Sequence, residues 1–110
     1  MNGTTLVRVG VGANLSGAFA VLHTVYQARW LRVTNLHLVN VSLAAVTVNV
    51  CAVVKGGTPD VTNALLWGFS IPASDFIEAS EGLMLPPGSS IQALCSTPGA
   101  INLYFSGEES

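Results

Sequence analysis

The sequence predicts an all-β protein, an antiparallel two-sheet sandwich of jelly-roll-like form with seven to eight strands. Its clearest stretch is "AAVTVNVCAVV", where Val46, Val48, Val50, Ala52 and Val54 share one parity and Thr47, Asn49, Cys51 and Val53 the other. Period-two alternation of β-branched residues makes a strand with one dry face, and a dry face needs a second sheet over it. Turn chemistry then recurs at strand spacing, in "KGGTPD", "PASD", "PPGSS" and "TPGA". Helical periodicity is missing throughout. Even "DFIEASEGLML" has a glycine inside it and is followed by two prolines.

Taken in order, "LVRV" and the glycines after it read as an edge strand or as an extended arm that orders on a neighbour, because glycine weakens a core strand. "AFAVLHTV" is a strand ending near Val25. "YQA" connects it to "RWLRVTNLHLVN", whose apolar parity slips between Val33 and Leu36 and predicts a bulge or bend near Thr34 and Asn35. "NVSLA" is a turn before the valine strand. In "VTNALLWGFSI", the residues Leu65, Trp67, Phe69 and Ile71 share a parity, which predicts Trp67 and Phe69 in the core. "FIEAS" is a short strand and "IQALCS" the next. "INLYFS" sets Ile101, Leu103 and Phe105 against Asn102, Tyr104 and Ser106. The expected organisation is an arm or edge strand over residues 1–17, a sandwich over 18–107 and a frayed acidic tail at 108–110.

Ten Asp, Glu, Lys and Arg residues make up 9% of a chain that is 50% hydrophobic, well under the usual charged share of about 25%. Such a surface fits partial cover by other subunits, since interface cores are depleted in charge. All four basic residues lie in the first half and all six acidic ones in the second. No basic track for phosphates emerges, so nucleic acid is not an expected partner. No uninterrupted apolar segment reaches the ~20 residues of a membrane helix.

The sequence offers no catalytic, cofactor-binding or metal-binding set. His23 and His37 sit on strands among aliphatic residues, without an HExxH, HxH or CxxC pattern. Cys51 and Cys95 lack a secretory context and read as buried free thiols. Asp75, Glu78 and Glu81 do not follow calcium-loop spacing. Ser16 and Ser106 have no GxSxG context, and Gly10–Gly12 precedes no helix. Trp30, beside Arg29 and Arg32, is a candidate exposed stacking surface. The chain is therefore not expected to be an enzyme.

The order "VLHTV", "LRVTNLHLVNVS", "AAVTVNVCAV", then "LMLPPGSSIQALCSTPGAINLYFSGEE" resembles small β-sandwich structural proteins of tailed bacteriophages, over about residues 19–109. In that pattern a strand ends in Asn plus a small polar residue, and the last strand ends in "SG.E". "YQAR" stands where the family has a proline-glycine hairpin. The resemblance implies a capsid cement or decoration protein on the exterior of the virion. Its implied partners are the major capsid protein and copies of itself, as a trimer or dimer. The alternative is a tail or fibre module attaching to other tail proteins or to host glycan. The chain's length from Met1 favours cement over a fragment of a fibre.

Overall fold

A computed structural model describes residues 6–110, apart from the side chain of Glu81. Its eight strands are β1 (Val7–Asn14), β2 (Ala20–Thr24), β3 (Leu31–Asn40), β4 (Val46–Val53), β5 (Ala64–Ile71), β6 (Phe76–Leu85), β7 (Ser90–Cys95) and β8 (Ile101–Glu109), with a 3-10 turn at Val61–Asn63. They form two four-stranded antiparallel sheets, ordered β1-β8-β3-β6 and β2-β7-β4-β5. The pairs β1·β8, β2·β7, β3·β6 and β4·β5 are nested in the sequence. One long hairpin rolled across two sheets produces this order, and the added contacts β3·β8 and β4·β7 come from the rolling. That is the jelly roll.

The dry valine face of β4 is covered by the other sheet. Val46, Val48 and Val50 are buried with Leu36, Leu38, Leu103 and Phe105 in one continuous core. Each such side chain contributes about 1.5–3 kcal/mol on burial. Beyond Val50 the outward parity is also buried. Cys51 and Val53 lie at 0% and 1% exposure, because the segment after β4 folds back over them. There the Cys51 thiol donates to the Asp60 carbonyl, and Gly57 lies against Val53. The expected slip in the third strand is present, as a register shift between Val33 and Asn35.

Three expectations are corrected. Trp67 and Phe69 are not core: they are 46% and 43% exposed on β5, an edge strand with a bulge. The acidic end is not a frayed tail. Glu108 and Glu109 complete β8, where Leu31 and Arg32 face them from β3 and Val7 and Arg8 from β1, and Glu109 is 4% exposed. Trp30 and Ser110 exchange backbone hydrogen bonds just beyond. Nor is "FIEAS" short, since β6 continues to Leu85. Of the two readings of residues 1–17, the structure shows an edge strand: Val7–Asn14 pair along their whole length with β8, and Val9 and Val11 pack on the core. Residues 1–5 lie outside the described residues.

Candidate interaction surfaces

The polar residues singled out in the sequence are scattered. His23 crosses the sandwich, where its Nε2 donates to Glu109 Oε2 at 2.6 Å and its ring meets Phe105 edge-on. A register shift after Val21 turns it inward opposite Ile91, while Val21 stays exposed. His37 lies on the outer face of the first sheet, 3.2 Å from a Glu78 carboxylate oxygen and against Phe76. Asp75 accepts from the Phe76 amide, as a turn cap. Ser16 donates to the Ala18 carbonyl, and the Ser106 hydroxyl lies beside Thr34. No group of three metal-ligating side chains occurs among the described residues. Arg29 packs over Tyr26 and not over Trp30.

The two thiols are free and buried. Burial pushes the Cys51 thiol above its ordinary pKa, and the nearby Asp60 charge adds to that. Cys51 is closed to solvent and serves in packing. Asp60 is shifted the opposite way because the Thr62 hydroxyl and amide donate to its carboxylate, completing a capping box with Asn63.

What the structure does assemble is surface. Across the first sheet, the register lines up Gly12, Tyr104, His37 and Glu78, with Asn14, Asn102, Val39 and Phe76 in the adjacent row. Gly10 and Gly12 alternate with inward valines, and the Tyr104 ring lies over this glycine strip. A Cβ on Gly10 would meet the Tyr104 hydroxyl, so a side chain there would have to push the exposed Tyr104 ring off the strip. Open depressions of about 450 and 410 Å³ flank Tyr104. Arg8, Thr34, Ser106 and Glu108 line one; Asn14, His37, Val39 and Asn102 line the other. Phe76, Met84 and Tyr104 are about half exposed on this face.

The second sheet presents a different row. Leu94 faces Asn49 across β7 and β4, and Trp67 and Gly68 together oppose Asn49 on β5. Phe19, just before β2, completes the row, with its ring 6.2 Å from that of Trp67. Sequence reasoning missed this row and also missed Asn40. Fully buried at the end of β3, Asn40 donates to the carbonyls of Ala44, Ile71 and Pro72 and accepts from the amide and hydroxyl of Ser42. Its signal was available: Asn40 shares the inward parity of Leu36 and Leu38, and a polar residue at an inward position must find partners inside.

No family model matches this sequence, and no curated protein matches it significantly. A chain in the structure of the infectious bursal disease virus Gx strain is similar, with a TM-score of 0.53 at 10% identity. The match covers 93% of this chain and 32% of that one, so this chain spans about a third of the other's length. At that identity the likeness is one of fold alone. It agrees with the two-sheet jelly roll described above.

Proposed function

We propose that this chain is a structural protein of a virion, and within that class a cement or decoration protein on the exterior of a tailed-bacteriophage capsid. The observation that supports the reading most is the outer face of the first sheet. Phe76, Met84 and Tyr104 lie uncovered there beside two open grooves, in a chain with only ten Asp, Glu, Lys and Arg residues. Large apolar side chains left half exposed between polar grooves suit a surface that a partner covers. Likeness in fold to a chain from a solved virus structure agrees with the reading, as does the resemblance in strand and turn order to phage β-sandwich proteins. Binding and not catalysis is the proposed activity.

On this reading the first-sheet face seats on the major capsid protein, and copies of the chain associate as a trimer or dimer. Closed symmetry hides apolar patches, and several modest footprints on one rigid shell add through avidity. The test is light scattering on the purified protein, followed by binding to capsids stripped of it. Self-association and saturable binding that Tyr104→Ser or Phe76→Ser weakens are the expected results. A strict monomer that ignores the shells would overturn the reading.

A further inference from the structure

We propose that the Phe19–Trp67 row on the outer face of the second sheet is a binding site for a neutral glycan, with a pyranose ring lying across the two aromatic rings. The first ground is how Trp67 reaches the surface. Unbroken alternation would send Trp67 to the same side as Phe69 and Ile71. Instead Val48 pairs with Phe69 and Val50 with Leu66, so Trp67 and Gly68 together oppose Asn49. Gly68 takes a φ of +63°, and its amide donates to Asn49 Oδ1 at 2.6 Å. This bulge turns the largest side chain of the strand out of the core and holds it there. Bulges that re-aim a side chain are over-represented beside functional sites.

The second ground is ring geometry. Phe19 and Trp67 have planes 25° apart and centroids 6.2 Å apart. Rings that are near-parallel at this separation are offset and not sandwiched face to face. The offset leaves each ring with surface outside the overlap, and Leu94 and Asn49 lie between the two strands that carry them. A pyranose offers one apolar face of C–H groups and a rim of hydroxyls, which matches an aromatic floor with polar edges.

The third ground is what surrounds the rings. Thr47 pairs with Ser70 on β5, and its amide donates to Ser96 Oγ, so hydroxyl side chains line one flank. Gln92 lies in the next row on the other flank, beside Val21. None of these side chains is charged. Hydroxyls and amides both donate and accept, which suits sugar hydroxyls, while these uncharged flanks offer nothing to a phosphate or a sialic acid carboxylate.

This site is independent of the capsid reading, because it lies on the opposite face of the sandwich, and shell binding and glycan binding can fail separately. The probes are neutral cello-, malto-, manno- and chito-hexaose, with a sialylated oligosaccharide as the charged control. Binding is read by calorimetry and by the fluorescence of a Trp30→Phe variant, in which Trp67 is the remaining tryptophan. The expected result is saturable binding of a neutral hexaose, with a change in Trp67 emission and no response to the sialylated control. Trp67→Ala and Phe19→Ala should each weaken it about tenfold or more, with melting temperatures near the parent's. Silence with every neutral probe would overturn the proposal, as would binding indifferent to both variants. A Trp67→Ala variant that binds nothing differently but loses self-association would overturn it too, by assigning the row to a second copy of the chain.

Discussion

Strands β4 and β5 lie side by side in the same sheet, and they are held in different ways. β4 has a neighbour on each side, β7 and β5, and its inward valines, Val46, Val48 and Val50, are 1%, 0% and 0% exposed. β5 has a neighbour on one side only, and its large residues Trp67 and Phe69 remain nearly half exposed. The pairing of β4 with β7 runs without a register shift, whereas its pairing with β5 shifts twice. A central strand cannot take an extra residue without breaking a ladder on both sides. At an edge strand the ladder is broken on one side only, and side chains from neighbours can repair it. Asn49 does so at the Gly68 bulge, and Asn40 at the end of the strand through the Ile71 carbonyl.

The contrast breaks most visibly at Val50. Val50→Asp places an unpaired carboxylate in the centre of the dry face, and we expect a loss of more than about 4 kcal/mol, enough to unfold many domains outright. Urea unfolding measures it. A midpoint close to the parent's would mean that the valine parity does not face the other sheet. The next effect belongs to Asn40. Asn40→Leu keeps the branched shape but strips partners from the Ala44 and Ile71 carbonyls and the Ser42 amide, with an expected cost of about 2–4 kcal/mol in the same experiment. A neutral result would show that the network is replaceable by water at that end of the sandwich.

The same difference decides what was legible in the sequence. Where register is fixed on both sides, alternation reads directly as inside and outside, and Val46–Val50 and Ile101–Phe105 were placed from letters alone. The bulge in β3 was also legible, because its apolar parity slips in plain sight. The bulge in β5 was not: Leu65, Trp67, Phe69 and Ile71 keep a formal alternation across Gly68, and only pairing with β4 shows that the strand carries an extra residue. The C-terminal end was misread, and the N-terminal end left between strand and arm, for a related reason. Gly10, Gly12 and the acidic pair Glu108–Glu109 look like poor strand material in isolation. They become good material once Tyr104 fills the glycine strip and His23 reaches across to Glu109. Those partners are roughly ninety residues away in the chain, beyond the reach of any local pattern. The interaction surfaces were the least legible part, since a row across a sheet draws each residue from a different strand.

A smaller effect sharpens the account of the bulge itself. No atom lies within 4 Å of a Cβ built on Gly68, so the cost of a side chain there is the left-handed backbone and not a clash. Gly68→Ala should therefore cost about 1–2 kcal/mol. Gly68→Asn should cost less, because Asn tolerates that conformation better than other residues with a side chain. Equal losses for the two variants would point to crowding, contrary to the open space around Gly68.

The smallest expected effect is at Trp67, and its smallness is the point. A tryptophan packed in the core, as its parity with Phe69 and Ile71 predicts, would cost about 3–5 kcal/mol on truncation. Outside the core, beyond the bulge, Trp67 has its contact with Phe19 to lose and little more. Trp67→Ser is expected to lower stability by no more than about 1 kcal/mol, the scale of a single aromatic pair. Phe19→Ser should match it, and the double variant should cost less than the sum, since the two side chains share one contact. Thermal unfolding of the single and double variants closes this cycle. A loss of core size at Trp67, or strict additivity with Phe19, would return Trp67 to the interior and remove the bulge as the reason β5 differs from β4.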